Sequence, residues 1–212
     1  MSKSEQSFFG DEAKAKATLA VAAVEARTSA EIVLAVRPIS GHYRHADYLA
    51  GVVLAFVVLL LLLFLPQPFT VDSMPLDVIA AFTIGAVLCA HAPPLRRRLI
   101  ARALMDTNVR TAARAAFVDG GVARTHGRTG ILVFVSIFER RVEVVGDLGI
   151  DAERLGDAYA AAVRAIEGSL SSTVDFARFL VAVEALGPAL SGELPRREDD
   201  ENELSDAMDV AS

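Results

Sequence analysis

Polar and apolar positions along this chain alternate in ordinary amphipathic fashion, except in two central stretches that are apolar on every face. The first, Tyr48 to Leu65, includes Gly51 to Leu65 without one charged or strongly polar side chain. Counted from Ala46 it reaches about 20 residues, enough to cross roughly 30 Å of hydrocarbon as a helix. The second, Leu76 to Ala92, is less uniform, with Asp77 at its start and Thr83, Gly85, Cys89 and His91 within it. It reads as the return arm of a hairpin. A core helix of a soluble domain is usually shorter and rarely apolar all round. The pattern therefore predicts a transmembrane hairpin over residues 46–94, with spans at 48–65 and 76–92 and a short link between them.

The flanking segments predict a soluble domain in two pieces, 1–45 and 95–190. Asp11 to Arg27 is Ala-rich and reads as a helix with Asp11 as its cap. Glu31 to Val36 is a continuous apolar run, the mark of a strand covered on both faces. After the hairpin a helical pattern extends to Val118, with a break expected at Asp106-Thr107-Asn108 and a stop at Asp119-Gly120-Gly121. Gly130 to Ile137 and Arg141 to Val145, joined by Phe138-Glu139-Arg140, form an antiparallel strand pair. Helices follow from Asp151 to Glu167 and from the capping sequence Ser172 to Asp175 as far as Gly187-Pro188. Residues 191–212, acidic and poor in apolar side chains, read as a disordered tail. With the first two strands parallel and the third antiparallel, this order gives an α/β fold, a three-layer α/β/α sandwich with a small mixed sheet, interrupted by the hairpin.

Composition and charge refine this picture. A chain 53% hydrophobic yet 23% charged fits a soluble domain joined to membrane helices. Arg44 precedes the spans, Arg96, Arg97, Arg98 and Arg102 follow them, and the link has no Lys or Arg. By the positive-inside rule Arg96, Arg97 and Arg98 are the topology determinants, and both termini and the α/β domain are cytoplasmic. The first residues lack the apolar core of a signal peptide, so no cleaved leader is expected. Cys89 is the single cysteine, which excludes intrachain disulfides and Cys-based metal sites. The net charge of -6 arises in Glu193 to Ser212, where eight acids oppose Arg196 and Arg197 (2 − 8 = −6). The balanced remainder argues against a nucleic-acid partner.

Candidate chemistry is sparse. No G-x-S-x-G, P-loop or G-x-G-x-x-G is present. Asp147 follows the third strand and Asp151 lies four residues on, so with Glu31 or Asp119 they would hold Mg²⁺ or Ca²⁺ through hard oxygen ligands. Turn and helix-cap chemistry accounts equally for both aspartates. His126, between Arg124 and Arg128, marks either an anion-binding corner or a solvated basic one. His42, Tyr43, Arg44 and His45 suit a membrane interface, and His91 and Asp77 suit anchoring at the two ends of the second span.

The runs Glu25-Ala-Arg-Thr28-Ser-Ala-Glu31-Ile-Val-Leu, Arg128-Thr-Gly130-Ile-Leu-Val-Phe-Val-Ser136 and Glu139-Arg-Arg-Val142-Glu-Val-Val-Gly146-Asp147-Leu-Gly-Ile150 resemble the TPM domain family. The two inserted spans make the chain similar to a bacterial branch of uncharacterised TPM membrane proteins. The resemblance covers about Asp11 to Gly187. It implies an α/β/α sandwich in the bacterial inner membrane, acid phosphatase activity or divalent-ion binding as in some members, or repair and assembly of membrane complexes as in others. Many TPM domains carry an acidic or amide residue just before the glycine of the second strand, where this chain has Arg128-Thr129. A cation site there would lose an oxygen ligand and gain a positive charge. The combined expectation is a non-enzymatic interaction, assembly or quality-control accessory whose partners are the lipid bilayer and another membrane protein or complex. The alternative is a divalent-metal-dependent phosphatase at the membrane surface.

Overall fold

A computed structural model describes residues 3–65, 73–171, 174–196 and 203–210. Its elements, in chain order, are α1 (Lys3–Gln6), α2 (Asp11–Glu25), β1 (Glu31–Arg37), α3 (Arg44–Phe64), α4 (Met74–His91), α5 (Pro93–Leu99) and α6 (Arg102–Asp119), then β2 (Gly130–Ser136), β3 (Arg141–Gly146), α7 (Ala152–Gly168), α8 (Phe176–Glu184), α9 (Leu186–Leu190) and β4 (Asp209–Val210). They form two compact units, one of residues 1–40 and 106–212, the other of residues 41–105.

The first unit is a mixed α/β structure with a four-stranded sheet in the order β3-β2-β1-β4. β1 and β2 are parallel, with Glu31 opposite Gly130 and Arg37 opposite Ser136, and β3 returns antiparallel to β2. Alternation along the strands divides their side chains between two apolar clusters. Ile32, Leu34 and Val36 join Ile131, Val133 and Val135 against α2, α7, α8 and α9. Ala35, Leu132 and Phe134 join Val109 and Ala113 of α6. This two-sided burial is why β1 and β2 lack the polar alternation of a half-exposed sheet.

Three expectations are corrected. The helical break after the hairpin falls at Ile100, which is extended (φ −98, ψ 131), and not at Asp106-Thr107-Asn108, which lie inside α6. Asp106, inside the helix, pairs its carboxylate with Arg141 at 2.9 Å. Gly10, not Asp11, occupies the cap position of α2, with no side-chain hydrogen bond. The tail is not disordered where it is described: Asp209 and Val210 pair in parallel with Ala35 and Val36, and Met208 is buried in the main cluster. Its apolar side chains Leu204, Met208 and Val210 bring enough contact to hold an otherwise acidic segment. Residues 197–202, 211 and 212 of that tail, Ser172 and Thr173 of the expected capping sequence, and residues 66–72 of the link lie outside the described residues.

The second unit is built on α3 and α4, both long and apolar enough to cross a membrane. Ala81, Gly85 and Cys89, spaced by four, form the buried stripe of α4, opposite Ala46, Asp47 and Gly51 of α3. The backbones meet at the two glycines: a Cβ on Gly51 would lie 2.7 Å from the Phe82 carbonyl oxygen, and one on Gly85 2.9 Å from that of Ala50. Close approach through small residues maximises dispersion contact between the two backbones. Only 17% of each apolar window is buried, and Val53, Phe56, Leu61 and Leu88 face outward.

Candidate functional site

The sheet carries Glu31 and Asp147 to the same end, since Glu31 opposes Gly130 and the Asp147 amide donates to the Gly130 carbonyl at 2.9 Å. They sit on strands separated by β2, about 10 Å apart at two strand spacings. Each is engaged by protein. The Arg128 guanidinium grips both oxygens of Asp147, donating from Nε to Oδ2 at 2.7 Å and from Nη2 to Oδ1 at 3.0 Å, and the Leu148 amide adds a third donor. The Asp147 side chain is 4% exposed. Arg128 beside it holds its carboxyl below the usual range, against the opposing effect of burial, and the Leu148 amide assists. Arg128 achieves this from a left-handed backbone conformation, φ 54, which costs a non-glycine residue roughly 1–2 kcal/mol.

Asp151 caps α7, accepting from the Glu153 and Arg154 amides at 3.0 and 3.3 Å. Glu31 accepts from the Leu204 amide of the tail at 3.4 Å. Asp147, Asp151 and Glu31 therefore do not assemble into the expected cation site, and among the described residues no three His, Cys, Asp or Glu side chains converge to hold a metal. The turn-and-cap reading of the two aspartates is the one the geometry takes. Asp119 instead lines a different cavity, at the far end of β1.

That cavity, of about 400 Å³, is bordered by Arg37, Ser40, Ala112, Asp119, Phe134 and Asp209. It lies at the carboxyl ends of β1 and β2, where open α/β sheets place their ligand crevices. Below it the Ser136 hydroxyl donates to Glu139, whose other oxygen accepts the Ser40 amide at 3.0 Å, and the two serine hydroxyls are 2.6 Å apart. This buried network ties the end of β1 to the β2–β3 turn. A second cleft of about 200 Å³ opens between α6 and β3. Its charges pair internally, Arg141 with Asp106 at 2.9 Å and Arg110 with Glu143 at 3.7 Å, and burial followed by Glu143 pushes the Glu167 carboxyl up.

Sequence reasoning missed a run of tail contacts. Glu203 accepts from the His126 amide at 2.7 Å, so the basic corner receives a carboxylate from the chain itself. The Asp206 carbonyl accepts from the Thr18 hydroxyl, and Asp209 meets Arg37 at 2.6 Å. Burial drives the Glu25 carboxyl up to about 8; the Ile32 amide opposes this, Asp206 and Glu31 add to it, and Arg196 opposes it weakly. The alternation of Met208, Asp209 and Val210 was the available signal.

In the helical unit, Arg96 pairs with Asp47 at 2.8 Å, both largely buried. One of the three arginines expected to set topology is thus paired within the unit.

No protein-family model and no curated protein sequence matches the chain. Among solved structures it is similar to the NMR structure of the BA42 protein from the psychrophilic bacterium Bizionia argentinensis, at 17% identity and a TM-score of 0.57 over 96% of each chain. At that identity the likeness is one of fold.

Proposed function

We propose that the chain is a TPM-like membrane protein, a non-enzymatic interaction, assembly or quality-control accessory at the inner face of the bacterial membrane. The observation that carries the anchored reading is the outward apolar surface of α3 and α4, whose apolar windows are each only 17% buried. In water such a surface far exceeds what a soluble protein leaves uncovered; in lipid it has no cost. Apolar clusters on opposite faces of the sheet favour the three-layer sandwich, and a helical unit falling between its two sequence segments favours an inserted hairpin. Arg97 and Arg98 beyond α4 favour a cytoplasmic domain.

The non-enzymatic reading rests on Asp147, whose two oxygens accept three hydrogen bonds from Arg128 and Leu148. A metal-dependent phosphatase would need that carboxylate open to the cation. Purified protein in mild detergent, given a generic phosphate ester with Mg²⁺ or Ca²⁺, is expected to release no phosphate. Hydrolysis that Asp147→Asn abolishes would establish the phosphatase instead. Alkaline carbonate should leave the chain in the membrane pellet, and a C-terminal reporter active only outside the cytoplasm would reverse the orientation.

A further inference from the structure

We infer that the cavity at the carboxyl ends of β1 and β2 is a binding site for a small aliphatic primary amine, held as its ammonium ion. The site goes beyond the interaction reading above and does not depend on it.

Hydrogen bonds around the cavity fix what its wall can offer. Ser136 donates its one hydroxyl proton to Glu139. The Ser40 hydroxyl, 2.6 Å from that of Ser136, must therefore donate inward to it, because a hydroxyl has one proton and two acceptor lone pairs. Ser40 borders the cavity, and its hydroxyl has only lone pairs left to present there. Arg37, the one cation on the lining among the described residues, is turned back on the chain. Its Nη1 donates to the carbonyl oxygens of Val36 and Asp209 at 3.1 and 3.3 Å, and its Nη2 to the Asp209 carboxylate at 2.6 Å. That pair is balanced in charge. Asp119, also on the lining, is exposed, and no described residue forms an ion pair with its carboxylate. It is the last residue of α6, where the negative end of the helix dipole favours a cation. The polar part of the wall thus offers acceptors and one uncompensated negative charge, which selects a ligand that brings N–H donors and positive charge.

The rest of the lining is chiefly apolar, with Phe134 of β2 facing Ala112, Ala115 and Ala116 of α6. Side chains that stop at Cβ leave the space open, about 400 Å³, within the range of roughly 300–1,000 Å³ of small-molecule sites. Such a wall accepts hydrocarbon and gives nothing to the hydration shell of a metal ion. Among the described residues no three His, Cys, Asp or Glu side chains converge to replace that shell. An ammonium group on a short alkyl chain matches both parts of the wall.

The full chain in mild detergent tests this with n-butylammonium, followed by amide chemical shifts. Saturable shifts at Ser40, Ala115 and Asp119 are expected, with a dissociation constant of about 1 mM, ordinary for a ligand of this size. Tetramethylammonium, which has the charge and no N–H, and butyrate, which has the chain and the opposite charge, should each bind at least about tenfold more weakly. Asp119→Asn should weaken n-butylammonium by about tenfold, and Ala115→Leu, which fills the cavity from an exposed helical position, should abolish its binding, both variants still melting cooperatively. No saturable shift in the native chain, or equal affinity for n-butylammonium and tetramethylammonium, would overturn the inference. Native affinity in Asp119→Asn or in Ala115→Leu would place the amine elsewhere and overturn it as well. The ligand comparisons use the native chain, so they decide the matter even where a variant fails to fold.

Discussion

Replacing Gly85 with alanine should open the α3–α4 hairpin while leaving both helices formed. The new Cβ would stand 2.9 Å from the Ala50 oxygen, 3.0 Å from the Gly51 Cα and 3.0 Å from the Leu54 Cβ, where ordinary contact begins at 3.4 Å. Two of those three atoms are backbone, so the helices themselves must part by about 0.5 Å, the difference between 3.4 and 2.9 Å. A gap of that size forfeits about a quarter of the dispersion well for every pair along the seam, and overpacking of this kind costs roughly 1–3 kcal/mol. The helix-propensity gain of alanine largely cancels, because both arms stay helical in lipid or detergent when the hairpin opens. At about 2 kcal/mol the open fraction rises roughly 30-fold. Cys89 reports it: the single cysteine is fully buried, its Sγ 3.7 Å from the Ala46 carbonyl oxygen. Labelling by a membrane-permeant fluorogenic maleimide should accelerate by about that factor, while Leu88→Ala on the outward face leaves the rate within about threefold. A native labelling rate in Gly85→Ala would refute the close-packed hairpin.

The same assay examines the Asp47–Arg96 pair. Asp47→Ala strands a largely buried guanidinium and should destabilise the hairpin by about 3 kcal/mol, whereas Asp47→Leu with Arg96→Leu should come within about 1 kcal/mol of native; equal labelling of the two variants would show the pair to be inert. Glu25 predicts a pH dependence in the other unit. Its carboxyl rises from 4.5 to about 8 in the fold, so the native state binds the extra proton between those values. The stability it contributes is complete below pH 4.5 and is lost as pH rises through about 8. Melting temperature should decline between pH 6 and 9 in the native chain and stay nearly level in Glu25→Gln, which keeps an oxygen for the Ile32 amide; parallel declines would remove Glu25 as the cause. Burial of the carboxyl is the main cause, with the Ile32 amide and Arg196 opposing it and Asp206 and Glu31 adding to it.

Periodicity made most of the fold legible. The β1, β2 and β3 patterns reflect burial acting at fixed spacing, and the unbroken apolar runs of α3 and α4 mark two long helices whose apolar faces the protein leaves largely uncovered. Parallel pairing of β1 with β2 followed because the connection between them contains helix. What escaped was non-local or marginal. Ile100 breaks the helix although no capping residue marks it. The tail was hidden because three apolar residues among many acids fall below any local threshold, and only the waiting edge of β1 gives them a use. The acidic triad shows the same non-local effect: the sequence orders Asp147 and Asp151 near each other, while in the fold Asp151 caps α7 and the Arg128 guanidinium pairs with Asp147.

Arg128 turns that pairing into a measurable statement. Its guanidinium supplies Asp147 with the positive charge and directed contacts that a divalent cation would otherwise provide, and it does so from a strained backbone position. Because Asp147 is held below the usual carboxylate range, its contribution to stability is present above that range and lost as pH falls through its lowered value. Arg128→Gln should move this acid loss to higher pH, with Asp147 retaining only the Leu148 amide and a neutral donor. Millimolar Ca²⁺ should leave the melting temperature of the native chain unchanged, since a cation at Asp147 must first displace a bidentate arginine. A rise of several degrees with Ca²⁺ in the native chain, lost in Asp147→Asn, would refute the idea that the charge is supplied internally and would reopen the site to metal chemistry.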